Sequence, residues 1–188
     1  MAEPTLYELV DRALADVDGI VAAVSPGDFG RPTPCAEFDV RALLAHFVGG
    51  LRSFAELGEG GEMRFDLDPD LDRESAVDEY RAAAARIRAA WADPAMASRM
   101  FAAPWGESPG SQILGFMLLE VVTHGWDLAH ALLLERTVDA ELAEAALAGA
   151  QASMDESARV PGLFGPEVAI AADAPAPDRL AAFLGRTP

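Results

Sequence analysis

The sequence predicts an all-α protein, an up-and-down four-helix bundle with an extra helix and an irregular tail at its C-terminal end. Apolar residues recur at spacings of three and four over four long segments, which is typical of amphipathic helices. Short connections containing Pro, Gly or acidic residues join these segments. The fourth segment is apolar almost all the way round, so we place it at the centre of the bundle.

The first two helices have clear start and stop signals. Thr5 and Glu8 have the spacing of a capping box, and the apolar stripe that follows continues to Val24 and stops near residues 25–27. After a loop with two prolines, Asp39 is the predicted N-cap of a second helix, which ends at the glycines of residues 58–61. The apolar stripe of this helix consists of Val40, Leu43, Leu44, Phe47, Leu51 and Phe54.

The rest of the chain contains three more helices, one break and a final helical turn. An acidic linker over 62–72 leads into the third helix, and the helical pattern breaks at 94–110, where we predict an irregular segment or a short extended piece. The fifth helix is rich in alanine and can pack closely on a neighbour. The predicted bounds are 73–92 for the third helix, 111–134 for the fourth, 139–157 for the fifth and 178–184 for the final turn.

Composition and charge exclude several classes of function. The 188-residue chain is 51% apolar and 24% charged, as expected of a single globular domain over residues 1–188. Its net charge of −17 disfavours nucleic acid and anionic membranes as partners, because both are themselves negatively charged. One cysteine, no signal peptide and no apolar run long enough to span a bilayer together indicate a cytoplasmic protein.

Three ionisable residues interrupt the apolar surface of the fourth helix. At about 100° per residue, Glu120, His124 and Asp127 lie within about 60° of one another. Burying unpaired charge is costly, so this stripe needs a partner. A Glu and a His at positions i and i+4 point the same way and can bind one cation through a carboxylate oxygen and an imidazole nitrogen.

The missing ligand has to come from another helix. His46, at the edge of the apolar face of the second helix, is the only other histidine inside a predicted helix apart from those of the fourth. With Glu120 and His124 it forms a three-ligand set that leaves one coordination position for water or substrate. Asp127 is either a fourth ligand or a residue that orients an imidazole. His130 lies about 120° from His124 around the helix, so we place it outside the cluster.

Four other residues have two interpretations each, and a fifth has one. Cys35 precedes the second helix, where the helix dipole would favour a thiolate, or it is a small loop residue packed under the end of the bundle. Gly49 and Gly50 interrupt the second helix and either permit close helix approach or give access to a site in that helix. Trp105 and Trp126 are predicted core anchors, and Trp105 alternatively lines the mouth of a pocket.

Two stretches of the chain resemble the signature motifs of a known family. The segments TPCAEFDVRALLAH at 33–46 and EVVTHGWDLA at 120–129 resemble those of DinB-like bundles. The closest group is the metal-binding proteins related to the N-terminal domain of mycothiol-dependent maleylpyruvate isomerase. The segments FGPEV at 164–168, DRL at 178–180 and FLGR at 183–186 are similar to the ending of the same group, so the resemblance touches nearly the whole chain.

The resemblance implies a DinB-like fold with a divalent metal, usually zinc, in the bundle core. Carried over residue by residue, the ligands are His46, Glu120 and His124, the set that the spacing also indicates. It further implies a small-molecule substrate, a low-molecular-weight thiol such as mycothiol as cofactor and, because relatives of this fold often pair, a homodimer. The isomerase also needs a C-terminal domain that contributes to its active site, and none follows Pro188, so we do not expect maleylpyruvate isomerisation itself.

Three hypotheses for function remain open at this point. The first is a metal-dependent enzyme of thiol-linked isomerisation or transfer. The second is a metal-binding bundle without catalysis that acts as a sensor, carrier or interaction module. In the third, the two histidines and the glutamate form a hydrogen-bonded polar network without a metal.

Overall fold

The computed structural model describes residues 3–64, 73–154, 158–159 and 164–188. The predicted linker over 62–72 lies mostly outside these ranges, as does the predicted end of the fifth helix at 155–157. Within the described ranges the chain forms six α-helices and one two-stranded hairpin: α1 (Leu6–Ala23), α2 (Val40–Gly58), α3 (Arg73–Trp91), β1 (Met100–Ala103), β2 (Gly106–Pro109), α4 (Gly110–Ala131), α5 (Ala140–Ser153) and α6 (Ala176–Phe183).

The first four helices form the bundle, and the predicted all-α class is confirmed. α1 packs against α3 and α4, and α2 packs against the same two helices, so that α1 and α2 lie across the bundle from each other. α5 and α6 pack on one another and on α4. As predicted, α4 is central, since it contacts four other helices. None of the helices in the described ranges combines the length and the hydropathy needed to cross a bilayer.

The predicted start signals of α1 and α2 are confirmed by their hydrogen bonds. The backbone N–H of Thr5 donates to the Glu8 carboxylate over 2.7 Å, and the Thr5 hydroxyl accepts from the Glu8 N–H, which completes the capping box. The Asp39 carboxylate accepts from the Ala42 N–H over 2.8 Å at the start of α2. This cap sets the register of α2 and places His46 two turns into the helix.

α4 ends at Ala131, three residues before the predicted position. Leu132 caps the helix, and Leu133 has a φ of 55° and a side chain that is 78% exposed. The Leu134 N–H donates to the Ala129 carbonyl, which closes the helix end. Residues 132–134 are all leucine, so their hydrophobicity continues the apolar pattern after the backbone has left the helix.

Residues 94–110 contain a short 3₁₀ turn and an antiparallel hairpin. The turn spans Pro94–Ala97, and β1 pairs with β2 in a register that places Phe101 opposite Ser108. Trp105 lies at the hairpin turn and is 45% exposed, so its assignment as a core anchor was wrong. Its ring instead packs edge-on against Phe116 at 5.1 Å, and its indole N–H donates to Ser108. A hairpin turn at the surface exposes such a ring whatever its hydrophobicity.

Gly125 allows α4 to approach α1 closely. A Cβ atom at this position would lie 2.6 Å from Val17 and 2.9 Å from Val138, closer than side-chain atoms pack. Its neighbours in sequence, His124 and Trp126, are both buried, so the assignment of Trp126 as a core anchor is confirmed. The close contact fixes the turn of α4 that carries His124.

Truncating a buried side chain of α4 tests its central position. Leu119→Ala should lower the free energy of unfolding by about 2–5 kcal/mol, because it removes packed methyl groups and leaves a cavity. Leu133→Ala is the matched control and should change it by less than about 0.5 kcal/mol, since that side chain is exposed. Urea denaturation of both variants measures the difference, and equal midpoints would mean that α4 is not in the core.

Candidate metal centre

The structure brings His46 on α2 together with Glu120 and His124 on α4. One donor atom from each side chain lies within 4.8 Å of the other two. On α4, Glu120 and His124 are four residues apart and therefore lie on successive turns of the same face. The packing of α2 on α4 supplies His46 opposite that face.

Both histidines direct the same ring nitrogen at the same carboxylate oxygen. The Nε2 atoms of His46 and His124 lie 3.7 Å and 3.3 Å from Oε2 of Glu120. The two imidazole rings are perpendicular, with centroids 5.0 Å apart. Two imidazole nitrogens and one carboxylate oxygen are the ligand types of catalytic zinc sites, so the donor set fits a divalent metal with one position left open.

The site is closed on the side of α4 and more open on the side of α2. The side chain of His124 is 6% exposed, that of Glu120 16% and that of His46 26%. Phe38 stacks on His46 with ring centroids 5.1 Å apart. His46 is therefore the most exposed of the three donor residues.

Asp127 contacts the ring of His124 on the side away from Glu120. Its Oδ2 atom accepts from Nδ1 of His124 over 3.1 Å, while Nε2 faces Glu120. A carboxylate bonded to Nδ1 orients the ring and cannot also bind an ion held by Nε2. Of the two roles that the sequence left open, this geometry favours that of an orienting residue.

Arg186, in the C-terminal tail, neutralises Asp127. Its Nε and Nη2 atoms lie 3.3 Å and 3.1 Å from Oδ1 and Oδ2 of Asp127, and both side chains are buried. In the sequence, Arg186 stands out only as part of the FLGR segment, and no role was predicted for it. The one available signal was general, namely that a buried carboxylate needs a cationic or hydrogen-bonding partner.

The charges of the cluster shift the pKa values of its members in opposite directions. Burial raises the pKa of Glu120, but the attraction of His124 and hydrogen bonds from both histidines outweigh it and hold the pKa below its usual range. Burial lowers the pKa of His124, but Glu120 and Asp127 outweigh it and raise the pKa to about 9. Burial also opposes ionisation of Asp127, yet His124 and Arg186 lower its pKa. The two carboxylates beside His124 therefore favour its protonated form in metal-free protein.

Three other candidate residues lie outside the donor set. Cys35 is half-buried against the core, and burial raises the pKa of its thiol, which favours the packed loop residue over a thiolate. His130 is exposed and stacks on Trp126 at 4.7 Å, outside the cluster as predicted. A Cβ atom on Gly50, one turn after His46, would meet no atom of the described residues within 4 Å, so Gly50 provides space beside the site instead of close helix contact.

Fold and site together define a helical bundle with a two-histidine, one-carboxylate cluster between two of its helices. The family whose sequence model matches residues 10–129 is the mycothiol maleylpyruvate isomerase N-terminal domain. The chain belongs to this family. The matched range includes all three donor residues and ends before α5 and α6.

Two curated relatives and two solved structures are similar to the chain. The relatives are uncharacterized proteins of Mycobacterium tuberculosis strains CDC 1551 / Oshkosh and ATCC 25618 / H37Rv, each 36% identical over 177 residues, which is 94% of this chain and 94% of the relative. The structures are crystal structures of mycothiol-dependent maleylpyruvate isomerase and of a point mutant of it, with TM-scores of 0.59 and 0.60 and identities of 17% and 16%. This likeness establishes the DinB-like fold.

The chain matches only part of that isomerase. The alignment with each crystal structure covers 77% of this chain and 65% of the isomerase chain.

The pKa of His124 predicts a pH-dependent stability for protein stripped of metal with a chelator. The folded pKa of about 9 lies above the unfolded value of about 6.5, so protonated His124 contributes stability that is complete below about pH 6.5. This contribution to the free energy of unfolding is lost as the pH rises through 9. The free energy of unfolding should therefore fall between about pH 6.5 and pH 9. Glu120→Gln should reduce this fall, because it removes the main attraction on the imidazolium, whereas the control His130→Ala should retain it.

Urea denaturation at a series of pH values measures this dependence. A stability that stays constant or increases over the same range would contradict the assignment of the proton to His124.

Proposed function

We propose that the protein binds one divalent metal ion, zinc by the type of its ligands, through His46, Glu120 and His124, and that it carries out a thiol-dependent isomerisation or transfer on a small molecule. The observation that carries this proposal is the convergence of three donor atoms within 4.8 Å on an accessible side of the bundle. The low-molecular-weight thiol is proposed from the family, whose name includes mycothiol.

The surroundings of the donor atoms support a metal rather than a chance contact. Asp127 accepts from Nδ1 of His124 and thereby holds Nε2 toward the other donors, as carboxylates do for imidazole ligands in metal proteins. Glu120 and Asp127 raise the pKa of His124 and so favour a positive charge at this ring, and a cation bound there would pair with Glu120 in the same way.

The open side of the site supports a reaction rather than storage of the ion. Zinc held by three protein ligands lowers the pKa of a bound thiol or water and acts as a Lewis acid. Phe38 and the space beside Gly50 adjoin His46, the most exposed of the three ligands, and leave room for a small molecule. The cytoplasmic location and the homodimer that the resemblance implies stay predictions.

Metal content is the first test, made on protein purified without a histidine tag. Wild type should contain about one divalent ion per chain, and His46→Ala and His124→Ala should lose it, because two ligands bind far more weakly than three. His130→Ala is the matched control and should keep the metal. Chelation should lower the melting temperature of wild type, since an ion that binds only the folded state stabilises it.

Wild type without stoichiometric metal after incubation with zinc, cobalt or manganese would overturn the metal proposal. The hydrogen-bonded polar network would then describe the cluster.

Catalysis is tested separately from metal binding. Metal-loaded wild type should accelerate isomerisation or transfer within a panel of small electrophiles in the presence of mycothiol, and the acceleration should disappear without the thiol. His46→Ala should reduce the rate to background, and His130→Ala should retain it. A wild-type rate no higher than that of His46→Ala, in protein shown to contain metal, would favour the metal-binding module without catalysis.

A further inference from the structure

The chain turns sharply after α6, and this turn directs Arg186 into the bundle. The N–H groups of Gly185 and Arg186 donate to the carbonyls of Ala182 and Ala181 over 3.0 Å and 2.9 Å. This is the hydrogen-bond pattern of a Schellman motif, which needs a residue with positive φ. Gly185 supplies it with a φ of 89°.

Neighbouring segments hold this turn in place. A Cβ atom on Gly185 would lie 2.5 Å from the backbone of Gly165, so the two glycines allow the tail segments to touch. The Val168 N–H donates to the Ala182 carbonyl over 2.9 Å. Leu180 and Leu184 are buried, and the indole N–H of Trp126 donates to Asp178 on α6 over 3.0 Å. α6 is thus docked on the same turn of α4 that carries Asp127.

A continuous chain of contacts connects the tail to the metal centre. Oδ2 of Asp127 lies 3.1 Å from Nη2 of Arg186 and 3.1 Å from Nδ1 of His124. A second contact, from Nε of Arg186 to Oδ1, fixes the plane of the carboxylate. Asp127 is buried, so water cannot replace its hydrogen bond to His124. A change in the position of Asp127 therefore moves the ring of His124.

We propose that Arg186 is a positioning residue for the metal centre: it holds Asp127, which fixes the orientation of His124, so that docking of the C-terminal tail and metal affinity are coupled. The inference rests on the proposed metal site. It adds that α6 and the residues after it, which lie beyond the range matched by the family model, are part of the machinery that binds the ion. Since coupling between binding events is reciprocal, the metal must also stabilise the docked tail.

Substitution of Arg186 tests one direction of this coupling. Arg186→Gln should weaken Co²⁺ and Zn²⁺ binding about tenfold, the lower end of the loss seen when partners of a metal ligand are removed. It should also alter the visible absorption of the Co²⁺ protein, which reports ligand geometry. Arg186→Lys should recover part of the affinity, because it restores the charge with a single contact. Arg179→Gln is the matched control, since Arg179 lies on α6 but pairs with the exposed Glu144.

A double-mutant cycle separates a role through Asp127 from a general loss of stability. If Arg186 acts through Asp127, Arg186→Gln should cause no further loss of metal affinity in an Asp127→Asn background. The neutral pair also avoids an unpaired buried charge, so it is the variant to use if Arg186→Gln alone does not fold. Equal losses in both backgrounds would contradict the proposed route.

Amide hydrogen exchange of wild type tests the other direction without any substitution. Zn²⁺ should slow exchange at the Gly185 and Arg186 amides about tenfold, matching the expected effect of Arg186 on affinity. Unchanged exchange in metal-loaded protein, or full affinity and an unchanged Co²⁺ spectrum in folded Arg186→Gln, would overturn the coupling while leaving the metal site intact. Failure of wild type to bind either ion would overturn the proposed function and this inference with it.

Discussion

Charge compensation inside α4 is the constraint on which the rest of the structure depends. Glu120 and Asp127 place two carboxylates in the helix at the centre of the bundle, where unpaired charge is costly. The compensating groups come from three elements: His124 from the same helix, His46 from α2 and Arg186 from the tail. The positions of α2 and of the tail relative to α4 are therefore tied to the cluster as well as to apolar packing.

The bundle and the donor set could be predicted because both depend on local periodicity. Caps and apolar spacing locate α1 and α2, and helical geometry places Glu120 and His124 on one face. The end of α4 was missed because apolar residues continue beyond it. Arg186 was missed for a different reason: it is 59 residues from Asp127 in sequence, and its contact arises from a tertiary turn that leaves no periodic signal.

The range matched by the family model and the residues of the charge cluster overlap but are not the same. The matched range ends at residue 129 and includes the donors and Asp127, whereas the guanidinium that neutralises Asp127 lies beyond it. A bundle cut at the end of that range would keep every donor side chain and lose a buried countercharge. The residues after α6 therefore belong to the same buried charge network as His124 and Asp127.

The space beside His46 arises in part because residue 50 is a glycine. Because position 50 carries no side chain and no described atom would lie within 4 Å of a Cβ atom there, the identity of this one residue sets part of that space. Alanine, valine or leucine there would reduce it in steps without altering a donor atom. If a small molecule binds beside His46 as proposed, a substitution at position 50 would change the bulk that fits there while leaving the three donor residues in place.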